Sequence, residues 1–367
     1  MLLPFQREFI VGWPNDLQWV YWLTSIWLTL GLIVLISASI YVGNFSFIQR
    51  QLFWILIGLL GFGTCLQAPL NWLQTIANLG FFFNLIGLIL TIPYGVTING
   101  ATRWLRFGPV LIQPSELIKP FFIWQISYLI SYWLILKIST KTFWILLNLI
   151  IFSAILLQPN LSTASLFGGL LWLIFLMSNL SKKRLLLITI AGLLSSGLSV
   201  FWNKYQQVRL STFLYPWGYI QNDGYQLVQS LLAIGSGGIF GKGFGNSTQK
   251  LGYLPIEYTD FIFAVFSEEC GLVGNIIFFV GLYFWIKITW KFATHIPSNF
   301  FRLIAYGAIA AIVQQSFCHV GVSIGFLPTT GLPLPLWSYG GNSILSSGVI
   351  IGLFFRTIEI FGGQKSG

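Results

Sequence analysis

Long apolar runs broken by short polar stretches set the pattern of this chain. A run of about 18 or more apolar residues supplies one bilayer crossing. Read on that basis, the sequence predicts spans near residues 17–41, 51–67, 71–93, 115–134, 142–158, 163–179, 185–202, 261–286, 303–325 and 341–358. The expected class is an all-α integral membrane protein with about ten transmembrane helices. Three segments interrupt the spans: 94–114, 326–340 with its prolines and glycines, and 203–260, by far the longest polar stretch. No soluble domain and no short-period repeat is evident. The chain therefore reads as one polytopic membrane domain over 1–367, with those three segments as outer loops, the largest between helices 7 and 8.

Composition agrees with the pattern. Of 367 residues, 56% are hydrophobic and 8% charged, where a soluble domain carries about 25% charged residues. The 34 Phe, 16 Trp and 14 Tyr suit lipid-facing surfaces and interfacial belts. A net charge of +10 raises the question of nucleic acid. The basic residues are scattered among apolar runs, however, without a basic stripe, zinc-finger spacing or aromatic RNA-binding motif. Nucleic acid is excluded as a partner on that ground, and anionic headgroups or phosphates are favoured. Cys65, Cys270 and Cys318 are far apart in or beside apolar runs, as buried free thiols are. Pro4, Arg7, Glu8, Pro14 and Asp16 break up the stretch before Leu17, so no cleavable signal pattern is present and the first span is expected to be retained.

The positive-inside rule fixes the expected orientation. With the N-terminus cytoplasmic, Lys137, Lys141, the triplet Lys182-Lys183-Arg184, Lys287, Lys291, Arg302, Arg356 and Lys365 fall inside. An even span count then puts both termini in the cytoplasm. Arg50, Arg103, Arg106, Lys204, Arg209, Lys242 and Lys250 are left at or near the outer face, and the topology rule does not account for them. Cations beside apolar grooves suit a phosphate-bearing lipid. Simple headgroup contact is the alternative for any one of them.

Ionisable residues within a bilayer cost roughly 2.5–3.5 kcal/mol each, which makes them functional candidates. Glu116 and Lys119 are three apart at the start of the fourth span, behind Pro114, and share one helix face. A structural ion pair and a ligand role are both open to them. Glu268 and Glu269 lie about two turns into the eighth span, and adjacent residues point in different directions, so a packing role is favoured for each. The stretch 224–250, GYQLVQSLLAIGSGGIFGKGFGNSTQK, offers glycines for close backbone approach and two cations, without the Lys-Ser/Thr spacing of a Walker loop. It reads as a phosphate cradle or as a re-entrant turn. Asp260 sits where the long outer loop enters a span. It reads first as a helix N-cap and second as a partly desolvated general base. His295 and His319 are the only histidines and stand far apart, so a metal site or a histidine triad has little support. No G-x-S-x-G elbow is present.

These residues carry a resemblance. The chain resembles the SEDS family (shape, elongation, division and sporulation) of cell-wall polymerases from about Arg50 to Arg356. The matching stretches are Asn99-Gly100-Ala101 with Arg103-Trp104; Gln113-Pro114-Ser115-Glu116 with Lys119; the 224–250 block; Thr259-Asp260-Phe261-Ile262-Phe263 followed by Glu268-Glu269; and Leu327-Pro328-Thr329-Thr330-Gly331-Leu332-Pro333-Leu334-Pro335 with Ser338-Tyr339-Gly340-Gly341. Ile239-Phe240-Gly241-Lys242-Gly243-Phe244-Gly245 and Thr329-Thr330-Gly331-Leu332-Pro333 look more like the cell-division branch than the elongation branch. Ser338-Tyr339-Gly340-Gly341-Asn342 looks cyanobacterial, and frequent Ile, Phe, Asn and Lys hint at an AT-rich genome such as that of a wall-bearing plastid.

The resemblance implies ten transmembrane helices and polymerisation of lipid II into glycan strands, in a bacterial plasma membrane or a plastid inner membrane. It makes Asp260 the catalytic base and reverses the preference for a cap. It implies lipid II or pyrophosphate contacts at Arg50, Arg103, Arg106, Gln113, Lys119, Lys242, Gln249, Lys250 and Ser338, and ion pairing at Glu116, Lys119 and Glu269. A class B penicillin-binding transpeptidase and other division proteins are the implied partners. A divalent cation, Mg or Mn, could assist, although no ligand cluster demands one and no cofactor is certain. The pattern departs at Gln158-Pro159-Asn160-Leu161-Ser162, where the family usually has an acid and a glycine. It departs again at Ile256-Glu257-Tyr258-Thr259, where Glu-Ala-His-Thr is common, and at His319, where Asn is common. A lipid II flippase and a non-enzymatic division scaffold are the competing readings.

Overall fold

The computed structural model describes residues 14–39, 46–98, 101–158, 160–178, 181–220 and 224–362. Asn99, Gly100, Pro159 and Lys365 of the motifs and charges above lie outside them. The helices are α1 (Asn15–Ser39), α2 (Ser46–Gln67), α3 (Leu70–Tyr94), α4 (Pro114–Leu117), α5 (Lys119–Ser131), α6 (Ile138–Leu157), α7 (Leu161–Leu176), α8 (Lys182–Trp202), α9 (Lys204–Leu214), α10 (Tyr225–Gly237), α11 (Ile262–Thr294), α12 (Asn299–Ser323) and α13 (Gly341–Gly362). Eight of these, α1, α2, α3, α6, α8, α11, α12 and α13, are long and apolar enough to cross a membrane. The protein is a multi-pass membrane protein. The two remaining expected spans take other forms. One is α7, apolar but only 16 residues long. The other, expected as a single helix over 115–134, is broken into α4 and α5 at Ile118. Pro120 explains the break: it has no N–H to donate to the Glu116 carbonyl, so the ladder is interrupted there.

Two expected loops carry structure of their own. Within 94–114, strands β1 (Val96–Ile98), β2 (Ala101–Phe107) and β3 (Val110–Ile112) form an antiparallel sheet in the order β1-β2-β3. This small sheet is an addition to the helical membrane fold that the sequence predicts. Thr97 pairs with Thr102 and Phe107 with Val110, the latter across a two-residue turn at Gly108-Pro109. Gly108 takes φ +58°, as the first central position of such a hairpin turn requires. The stretch 203–260 holds α9, a short 3₁₀ turn at Pro216–Tyr219 and α10.

The chain divides into two compact units, each assembled from separated segments: Met1–Leu56, Val208–Phe292 and Gln315–Ile344 in one, Ile57–Gln207, Ala293–Gln314 and Leu345–Gly367 in the other. The first has a core of Ala38, Ala233, Leu254, Phe261, Ala264, Val265 and Val322. Beside it, Trp337 stacks edge-on against Phe266 and Phe278, and Gly31 gives α1 the close approach that this indole needs. In the second unit Phe122 meets Phe167 edge-on, Gly307 admits Ile123 and Ile174, and Gln158 donates to the Leu88 carbonyl at 3.0 Å.

Candidate active site

Asp260 is half-buried at the mouth of α11. It does not hold the cap position. The first helical amides, Ala264 and Val265, bond the Phe261 carbonyl, which makes Phe261 the N-cap residue. What stands against Asp260 is the extended strap Leu327–Pro335. A Cβ added to Gly331, which takes φ +65°, would lie 3.5 Å from Asp260 Oδ2. Ser338 ties the strap's far end to the same turn. Its buried hydroxyl donates to the Thr259 carbonyl at 2.6 Å and accepts from the Leu334 amide at 2.8 Å. The Tyr339 amide bonds the Tyr258 carbonyl, and Gln51 bridges the Ser338 carbonyl and the Gly340 amide. Next to Asp260, burial raises the Glu257 carboxyl above its usual range. Tyr258 is pushed up by burial first, then by the charges of Glu257, Tyr339 and Asp260.

A second carboxylate cluster lies inside α11. Glu268 sits roughly 9 Å along the axis from Ile262 at 1.5 Å per residue. Lys242 Nζ is 2.6 Å from Glu268 Oε1, and Lys250 Nζ is 2.8 Å from Glu269 Oε1. The Thr248 and Gln249 amides and the hydroxyls of Ser236, Ser247 and Thr248 complete the shell of Glu268. Ser37 of α1 donates to Glu269 at 2.6 Å and accepts from Lys250 at 2.9 Å. The glycine-rich stretch is thus a re-entrant turn wrapped around carboxylates of its own chain. Its lysines, expected at phosphate, have these partners: Lys250 is 5% exposed and Lys242 31%. Gln249 keeps a buried Oε1 without a hydrogen-bond partner.

Backbone geometry accounts for the glycines. Gly271 leaves the helical region at φ 62°, ψ −161° and breaks α11. An unbroken helix would bond the Leu272 and Val273 amides to the Glu268 and Glu269 carbonyls. Here those carbonyls accept from the Lys242 and Gly243 amides at 3.0 and 3.1 Å, and the freed amides donate to the carbonyls of Gly238 and Ile239 at 2.9 and 3.1 Å. Two helical bonds are exchanged for four, and each of these two carbonyls and two amides keeps a partner. Gly241 has no room for a side chain because the Glu269 carbonyl occupies the space.

The remaining expected residues are distributed as follows. Arg50 is exposed on α2. Arg103 and Arg106 are on β2, three residues apart and so on opposite faces of the strand, with Arg106 exposed. Gln113 caps α4 through its carbonyl, which accepts from the Glu116 amide. Glu116 Oε1 and Lys119 Nζ form a buried pair at 2.7 Å across the α4–α5 break. Asn160 caps α7, its Oδ1 accepting from the Thr163 amide at 3.2 Å. Asp260, Arg50, Lys242, Gln249, Lys250, Ser338 and Glu269 belong to the first unit; Arg103, Arg106, Gln113, Glu116 and Lys119 belong to the second. Among the described residues no three His, Cys, Asp or Glu side chains come together as a metal site. Sequence reasoning missed Ser37, Gln51, Gln315 and Gly331 as individual contributors, and read Arg209 only as an outer-face cation suited to phosphate. Only Gly331 carried a signal, as a glycine within a quoted motif.

A family model described as cell cycle protein, FtsW/RodA/SpoVE, matches residues 18–359. The chain belongs to this family. Members of the FtsW/RodA/SpoVE family similar to it include a Mesostigma viride protein named as a peptidoglycan glycosyltransferase FtsW, 44% identical over 361 residues, covering 97% of this chain and 87% of the relative. A Synechocystis protein of the same name is 40% identical over 369 residues, covering 97% and 92%. Among solved structures, a peptidoglycan synthase complex described as coordinating polymerization and crosslinking matches with a TM-score of 0.78 at 26% identity, over 93% of this chain and 97% of that one. Thermus thermophilus RodA, a rod shape determining protein, matches with a TM-score of 0.69 at 25% identity, over 93% and 95%.

Proposed function

We infer that this protein is a peptidoglycan glycosyltransferase that polymerises lipid II into glycan strands during cell or plastid division. The observation that carries the assignment is Asp260, a half-buried carboxylate at a helix mouth with glycine clearance beside it, in a chain of this family. One lipid-linked disaccharide presents its GlcNAc 4-hydroxyl. Asp260 takes that proton as the oxygen attacks the MurNAc anomeric carbon of the other, and undecaprenyl pyrophosphate departs from the opposite face. The geometry is that of an inverting displacement, with a base facing away from the leaving group. The departing charge needs cations, not an acid. Arg50 and the part-exposed Lys242 are the proposed contacts in the unit of Asp260; Arg103, Arg106, Gln113 and Lys119 carry over from the family pattern as proposed lipid II contacts.

A class B penicillin-binding transpeptidase is the proposed partner, supported by the synthase complex among the structural neighbours. Relatives from Mesostigma viride, Cyanophora paradoxa and Synechocystis support a wall-bearing plastid or cyanobacterial-type membrane as its location.

The test is glycan-strand formation from lipid II in proteoliposomes, with and without the transpeptidase, wild type beside Asp260→Ala. A general base contributes on the order of 10²–10⁴ in rate, and the variant is expected to lose that much. Equal polymer from both would remove Asp260 from the chemistry. A flippase would leave lipid II monomeric, and a scaffold would tolerate the substitution.

A further inference from the structure

The strap beside Asp260 is held by side chains that the reaction itself does not call on. One turn of α12 presents Gln315 and His319, four residues apart and both buried. Gln315 Nε2 donates to the Pro333 carbonyl at 2.8 Å. His319 Nδ1 is 2.9 Å from the Leu332 carbonyl. A carbonyl oxygen only accepts, so Nδ1 carries the proton, and Nε2 is left buried without a partner. From α9, Arg209 Nη1 donates to the Thr329 carbonyl at 2.9 Å. Three carbonyls flanking Gly331 are therefore fixed, two after it and one before it. Between them lies Gly331, where an added Cβ would come within 3.5 Å of Asp260 Oδ2.

We propose that Arg209, Gln315 and His319 are positioning residues that pin the strap Leu327–Pro335 and so fix the orientation of the Asp260 carboxylate toward the acceptor hydroxyl. The proposal rests on the reading of Asp260 as the base. Released from its pins, the strap could turn a peptide carbonyl toward the carboxylate or draw away from it. Either change misdirects the proton acceptor without removing a substrate contact. The effect belongs in turnover, not in substrate affinity, because a displaced reacting group costs rate steeply. An asparagine is the informative replacement at 319. Its Nδ2 is bonded to Cγ as Nδ1 is in histidine, so it restores the donor to the Leu332 carbonyl without the imidazole.

The experiment uses the full chain in proteoliposomes with lipid II, comparing His319→Leu, His319→Asn, Arg209→Met and wild type. His319→Leu and Arg209→Met are expected to lower kcat on the order of tenfold to hundredfold, with KM changed by less than about twofold. His319→Asn is expected to stay within about threefold of wild type. In parallel, a carboxyl-esterifying diazo reagent is read at Asp260 by mass spectrometry, with Glu257 as the internal control. Labelling at Asp260 should rise several-fold in His319→Leu and stay at the wild-type level in His319→Asn. If Leu and Asn behave alike at 319, or if kcat and KM move together, the positioning role is overturned. If wild type forms no polymer, the functional reading fails by itself. The labelling then decides the pinning alone, with a wild-type level in His319→Leu overturning it.

Discussion

The mouth of α11 and its interior both carry carboxylates, and they are treated in opposite ways. Asp260 stands half-buried beside Gly331, on a turn that the Ser338 hydroxyl ties through the Thr259 carbonyl. Glu268 and Glu269 are enclosed by two ammonium groups, backbone amides and hydroxyls. A carboxylate engaged by an ammonium group and several N–H or O–H donors is a poor proton acceptor. The proposed base and the interior carboxylates thus differ in what surrounds them.

Neutralising each in turn gives the sharpest test. Asp260→Asn is expected to cost about 10²–10⁴ in polymerisation rate, measured on lipid II, while thermal unfolding in detergent stays near wild type. Breaking the interior pair should act on stability first. Lys250→Met leaves Glu269 buried with its ammonium partner gone and is expected to cost about 3–5 kcal/mol; the double variant Lys250→Met/Glu269→Met should recover much of that loss, read by the same unfolding. If Lys250→Met unfolds like wild type but fails to bind lipid II, the contrast is wrong and Lys250 belongs with the substrate. A smaller effect is expected at Glu257. Its carboxyl is raised by burial, so the folded state holds a proton that the unfolded chain, near pKa 4.3, releases. That stability is present at low pH and is lost as pH rises through the folded value. Glu257→Gln should therefore gain on wild type as unfolding is measured from about pH 4 to pH 8. The smallest effect is expected at the exposed pair of Lys291 and Asp16, 2.6 Å apart with side chains 62% and 50% exposed, where Lys291→Ala should change stability by no more than about 1 kcal/mol.

Those contrasts track what the sequence could reveal. The apolar runs were legible because lipid imposes a length that one run states by itself. The break at Ile118 was written in Pro120, though the expected span ran through it. Strands of three residues, such as Val96–Ile98, are too short to show a period, and the sheet went unread. The break at Gly271 had no local mark: glycine is common in membrane helices, and only the distant turn 238–243 makes this one different. At the candidate site, Asp260 stands out in the sequence through its motif and its place at a span's edge. Glu268 and Glu269 were read as packing residues that face different partners, and each has its own lysine. The expectation that Lys242 and Lys250 face phosphate came from their outer-face placement and from the family resemblance, neither of which shows the carboxylates that they pair with. His319 and Gln315 act on carbonyls 13 and 18 residues away, a relation no side-chain pattern records.

The exchange of bonds at Gly271 also bears on how the protein is made. The turn 238–243 is synthesised before the helix it completes. When 262–273 enters the bilayer, the partners for its interrupted ladder must already be waiting, because two bare carbonyls and two bare amides in hydrocarbon would each cost several kcal/mol. The helix is therefore assembled onto a template laid down earlier by the same chain. Its insertion is an act of tertiary folding as much as of partitioning, and a lesion in the turn would be felt first at the translocon, in a span whose own hydrophobicity is untouched.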